Sequence, residues 1–171
     1  TINDPYLYME DCQNLEVIAW ADKQNEFTNN FLTGSEYDEL YKEIKEAYSS
    51  EYYSMSFFDE ESDYYYYNSG DNQHNQYIKK EGNKVILDPD TWSKDQTLNL
   101  ASVSMSPDEN FLAYAVSDGG VDWRTIYVIN LETMEELDIP VTEVKFSSID
   151  WSQDSQGFYY NKYPKPEEKN R

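Results

Sequence analysis

The sequence predicts a mainly β protein with helices at its N-terminus, and three observations predict it. Apolar residues recur at helical spacing over residues 1–50. From about residue 51 the pattern changes to short aromatic and β-branched runs divided by turn residues. Within that second part, one turn motif returns at a fixed interval.

The helical part begins after a turn at Asn3-Asp4-Pro5-Tyr6. Val17, Trp20, Ala21, Phe27 and Phe31 then share one face, and Gly34 follows as a stop signal. This reads as one amphipathic helix of about four turns. A second helix opens at Ser35, a candidate N-cap, with Asp38 three residues later completing a pair that resembles a capping box. It places Tyr37, Leu40, Tyr41, Ile44, Ala47 and Tyr48 at helical spacing, so the two helices present an apolar stripe that must pack on something.

Strands are expected near 52–57, 63–68, 75–80, 84–87, 100–105, 110–117, 122–130, 134–139, 144–150 and 157–162. The separators are Asn68-Ser69-Gly70-Asp71, Glu81-Gly82-Asn83, Asp88-Pro89-Asp90, Ser106-Pro107-Asp108 and Asp118-Gly119-Gly120. Ser106, Asp108, Leu112 and Tyr114 align without a gap on Ser152, Asp154, Phe158 and Tyr160, and a looser copy runs from Phe58-Asp59-Glu60 into Tyr64-Tyr65-Tyr66-Tyr67. A period of roughly 40–50 residues with about four strands per unit is the signature of a β-propeller blade. The Ser-x-Asp step is a tight turn whose carboxylate accepts backbone N–H groups. Blade one then covers about 52–88 and blade two 100–139. Two strands of a third follow, giving two to two and a half blades where closure takes roughly 4–8. The sequence thus reads as a piece of a longer protein, and its start at Thr1 instead of Met points to a missing upstream segment.

Composition narrows the function. Thirteen Lys and Arg face 34 Asp and Glu, a net charge of −21, which repels phosphate backbones and anionic lipid headgroups and argues against nucleic-acid or membrane-surface partners. Aromatic residues make up 16% of the chain, unlike disordered segments of similar charge. Cys12, the one cysteine, cannot form an internal disulfide, and no zinc-ligand or calcium-loop spacing appears, so no metal or other cofactor is expected.

No Gly-x-Ser-x-Gly elbow, P-loop or His-Glu-x-x-His motif occurs. The single histidine, His74, lies in a polar run read as an exposed hairpin edge. The acidic pairs Glu60-Glu61, Asp88 with Asp90, and Glu135-Glu136 read as solvated faces. Tyr64 to Tyr67, alternating on a strand, serve core packing on both faces.

Several short motifs in fixed order carry a family resemblance. Asp4-Pro5-Tyr6-Leu7-Tyr8-Met9-Glu10-Asp11 and Glu16 to Asn25 resemble the N-terminal signature of the prolyl oligopeptidase family. They are followed by Ile86-Leu87-Asp88-Pro89, Ser104-Met105-Ser106-Pro107-Asp108, Leu112-Ala113-Tyr114, Asp122-Trp123-Arg124-Thr125-Ile126, Val144-Lys145-Phe146-Ser147 and Gly157-Phe158-Tyr159-Tyr160. Asp122-Trp123 and Val144 to Ser147 place the likeness nearest the branch that cuts after proline, as opposed to the branch that cuts after basic residues. Tyr8-Met9 replaces the usual Trp-Leu, and Ser148 stands where some relatives carry a cysteine.

The resemblance implies that residues 1–50 form an N-terminal arm packing on an absent C-terminal α/β-hydrolase domain, and that residues 51–171 begin a seven-bladed propeller. It implies a serine peptidase acting on short proline-containing peptides, with its catalytic Ser, Asp and His outside this chain, which is expected to be inactive alone. Two substrate-binding residues are implied. Phe146 matches a phenylalanine lining the pocket for the third residue before the scissile bond. Asp122 matches an acid that could hold a substrate-binding arginine. A cytoplasmic location is expected, with export of some relatives as the alternative. Unpaired strand edges suggest self-association. Two other readings are an acidic, Tyr-rich binding module and an oligopeptidase of different cleavage preference.

Overall fold

The computed structural model describes residues 4–163, and the chain divides into two compact units, Thr1–Ser50 and Glu51–Arg171. The fold class read from the sequence, helices followed by antiparallel sheets, is the one observed.

In the first unit, α1 spans Leu15–Phe31 and α2 spans Ser35–Tyr48. Asn14 caps α1, its side-chain oxygen accepting the Glu16 N–H at 2.9 Å. The expected cap at Ser35 is displaced by one residue. Gly34 occupies the cap position of α2 at φ +108°, a value glycine reaches without a Cβ clash, and Ser35 is already helical, so the capping box does not form. No residue of either helix is buried. Leu15, Phe27, Phe31, Leu40, Tyr41 and Ile44 are all exposed.

The second unit holds two four-stranded antiparallel sheets in simple meander order, then the start of a third. Sheet one is β1 (Tyr52–Tyr53), β2 (Tyr64–Asn68), β3 (Gln76–Lys79) and β4 (Lys84–Leu87). Sheet two is β5 (Leu98–Met105), β6 (Phe111–Asp118), β7 (Trp123–Asn130) and β8 (Val141–Lys145). The last sheet pairs β9 (Asp150–Trp151) with β10 (Phe158–Tyr159).

Several boundaries differ from the sequence reading, among them the strand expected over 157–162, which is confined to Phe158–Tyr159. Residues 134–139 form no strand. Glu136 makes a single bridge to Ile129, and Pro140 precedes the true fourth strand, β8. Blade two therefore extends to Lys145, and the segment expected at 144–150 as the opening of blade three is split between β8 and β9. Alternation in Glu136 to Ile139 mimics a strand, but the ladder to β7 is bulged between Arg124 and Ile126. Likewise, the strand expected over 52–57 stops at Tyr53. Ser54 instead uses its hydroxyl to accept the Tyr66 N–H at 2.9 Å, and a 3₁₀ turn follows at Met55–Phe57.

The core lies between sheets. β6 is covered on both faces: Leu112, Tyr114 and Val116 meet Tyr77, Ile86 and Leu87 of sheet one, while Ala113 and Ala115 join Ile126, Val128, Val144 and Ile149 on the side of Trp151 and Phe158. The tyrosine run alternates as its period requires. Tyr64 and Tyr66 lie against Tyr77, with ring centroids at 5.4 and 5.1 Å, whereas Tyr65 and Tyr67 lie against Tyr53 at 6.1 and 5.0 Å.

The repeated turn is built on the same Ser–Asp bond in both aligned copies. Ser106 Oγ donates to Asp108 Oδ1 at 2.6 Å and accepts the Phe111 N–H. Asp108 also accepts the Asn110 N–H and side-chain amide. Ser152 Oγ donates to Asp154 Oδ1 at 2.6 Å, and Asp154 accepts the Gln156 N–H. These donors favour the ionised carboxylate and hold Asp108 down to about 2, the Ser106 hydroxyl contributing most. Asp154 is lowered for the same reason, led by Ser152. The two turns are also joined, because the Asp108 N–H donates to Ser155 Oγ at 3.1 Å, and Trp151 Nε1–H donates to the Ser104 carbonyl at 3.0 Å.

Candidate functional site

Asp122 and Phe146 come together at one end of sheet two. The turn after β6 places Gly119 and Gly120 at φ +57° and +75°, and the chain re-enters the sheet at Asp122 and Trp123. Trp123 sits opposite Lys145 in the antiparallel register, so Asp122, just before β7, and Phe146, just after β8, flank one cross-strand pair. Phe146 has φ +49°, a left-handed conformation that costs a side chain about 1 kcal/mol or more and turns the chain out of β8.

Lys145 joins the group. Its Nζ lies 3.0 Å from Asp122 Oδ2, 5.0 Å from the Phe146 ring centroid and 5.4 Å from that of Trp123. The lysine side chain is three-quarters covered, while Phe146 is 63% exposed, the reverse of what core packing would require of an apolar ring. Tyr163 stands edge-on to Trp123 at 6.3 Å. Beside this cluster opens a cavity of about 360 Å³, lined by Leu98, Val116, Asp118, Trp123, Tyr127 and Glu143. Glu143 pairs with Lys162 at 2.8 Å. Sequence reading missed Lys145, whose signal was its position opposite Trp123 and next to Phe146.

The Asp122–Lys145 cluster combines aromatic surface with a paired carboxylate and ammonium, a set suited to binding and to orienting an apolar side chain. His74, expected on the surface, is instead mostly covered. Its Nδ1 lies 2.8 Å from Asp90 Oδ1, and the same carboxylate accepts the Gln73 and His74 N–H groups. Asp88 accepts from the Gln76 amide at 2.8 Å. Asp88 and Asp90 are thus loop clasps for the β2–β3 turn, not the solvated face expected of them. Glu136 similarly accepts the Tyr114 hydroxyl. Among the described residues, no group of histidine, cysteine, aspartate and glutamate has metal-binding geometry, and no helix is long and apolar enough to cross a membrane.

Comparison with known proteins places the chain. The prolyl endopeptidase of Elizabethkingia meningoseptica is 33% identical over 171 residues, covering 98% of this chain and 24% of that protein. A solved structure from a study of two prolyl endopeptidases superposes with a TM-score of 0.81 at 27% identity, over 96% of this chain and 25% of that one. Prolyl oligopeptidase B from Galerina marginata, solved bound to a 35mer hydrolysis and macrocyclization substrate, superposes at 0.76 with 25% identity, over 95% of this chain and 26% of that one. The chain therefore spans about a quarter of the length of the relatives it matches. The family model for the N-terminal β-propeller domain of prolyl oligopeptidase matches residues 1–171, and with the stacked four-stranded sheets and their repeated turns this establishes that the chain belongs to the prolyl oligopeptidase family.

Proposed function

We propose that these residues are the N-terminal part of a serine endopeptidase that hydrolyses short peptides after proline. The observation that carries the reading is a match to prolyl endopeptidases along the whole chain while covering only a quarter of their length. In this reading, residues 1–50 are an arm that packs on a C-terminal α/β-hydrolase domain, and residues 51–171 begin the propeller that limits substrate size. The nucleophilic serine, its histidine base and the orienting aspartate come from the hydrolase domain. Phe146 lines the pocket for the third residue before the scissile bond, and Asp122 holds a substrate-binding arginine of the hydrolase domain. The exposure of the Phe146 ring at the end of β8 supports the first role. The half-exposed carboxylate of Asp122 supports the second. The whole protein acts in the cytoplasm, and the isolated chain, with its sheet edges unpaired, self-associates.

The test compares the isolated chain with the whole protein on a chromogenic Gly-Pro substrate, alongside sedimentation of the chain. Turnover by the whole protein and none by the chain is expected. Turnover by the 171 residues alone would place the chemistry here and sink the reading.

A further inference from the structure

We propose that Lys145, itself held by Asp122, is a positioning residue for substrate recognition, acting by fixing the Phe146 ring. The inference rests on the functional reading of Asp122 and Phe146 given above. It starts from a geometric fact: one ammonium contacts both of them and Trp123 at once, at 3.0 Å from the carboxylate and 5.0 and 5.4 Å from the two ring centroids.

An exposed phenylalanine on a chain turn normally samples several rotamers, and a pocket wall that moves binds poorly. Phe146 is held in two ways. Its left-handed backbone is set by the end of β8, and its ring lies against a cation fixed from the other side by Asp122. The lysine stem, opposite Trp123 in the sheet register, is itself ordered by the ladder, so orienting the ammonium costs less entropy than at a free surface.

The experiment measures kcat and KM of the whole protein for two proline peptides, one with a bulky apolar residue and one with glycine third before the scissile bond. Lys145→Met, Lys145→Arg, Phe146→Ala and the Lys145→Met/Phe146→Ala double variant are compared. Lys145→Met is expected to raise KM for the apolar peptide roughly three- to tenfold, with the loss falling on KM in preference to kcat, and to change the glycine peptide little. Lys145→Arg, which keeps the cation, restores KM. The double variant matches Phe146→Ala alone, because the lysine acts through the ring. If Phe146→Ala raises KM and Lys145→Met does not, or if the two losses add, the proposal is overturned while the role of Phe146 stands. If Phe146→Ala leaves KM unchanged, the role of Phe146 fails and the proposal falls with it.

Discussion

The helical unit and the sheet unit meet the same physical requirement in opposite ways. Leu112, Ile126 and Val144 are almost fully removed from solvent between sheets, whereas Leu15, Phe27, Phe31 and Leu40 have no comparable cover. The sheets supply each other's partners, so their residues carry stability within this chain. The helices keep their apolar stripe exposed, and the difference separates residues whose burial is complete within the sheets from residues whose burial, in the proposed whole protein, would come from the hydrolase domain.

The largest expected effect lies in the sheets. Leu112→Ala removes a side chain with 0% exposure from the cluster joining blades one and two, and is expected to cost about 2–5 kcal/mol in urea unfolding of the chain. Ser106→Ala should cost about 1–3 kcal/mol, because the Phe111 N–H loses its acceptor and Asp108 loses its hydroxyl donor.

Acid acts through the same turns. The Asp108 carboxyl sits at about 2 in the fold, below the ordinary aspartate value of roughly 3.9, so its contribution is complete above about pH 4 and is lost as pH falls toward 2. Unfolding midpoints measured between pH 6 and pH 2 should drop for the native chain, and the drop should be shallower for Asp108→Asn. Base acts with the opposite sign. Tyr77 and Tyr114 are pushed up by burial, and Tyr53 reaches about 12 through its hydrogen bond to Glu51. Their contribution is intact below about pH 10 and fades as pH rises through the shifted values, which a tyrosinate absorbance titration run alongside circular dichroism would follow.

The smallest effect belongs to the arm. Leu40→Ala should shift the stability of the isolated chain by less than about 0.5 kcal/mol, yet destabilise the whole protein by several times more if the stripe is covered there. Equal effects in the two contexts would erase the contrast between the units.

Much of this was legible in the sequence because it is local. The helices follow from apolar spacing, and the recurrence of Ser106 and Asp108 in Ser152 and Asp154 fixed the blade repeat because a turn's chemistry is contained in a few residues. Asp122 and Phe146 could be marked from motifs alone. What escaped depends on contacts between distant segments. His74 and Asp90 are clasped across 16 residues, Lys145 meets Asp122 only through strand pairing, and the fourth strand of blade two begins after Pro140, where Val141 pairs with Ile126 of β7. Alternation in residues 134–139 carried no information about that partner.

The bond from the Asp108 N–H to Ser155 Oγ gives the assembly a direction. A peptide group in one blade finds its acceptor only after the following blade's first turn has been synthesised, 47 positions downstream. As the polypeptide leaves the ribosome, this donor would gain its acceptor inside the fold only with the next hairpin, which ties the order of these two neighbours to the order of their synthesis.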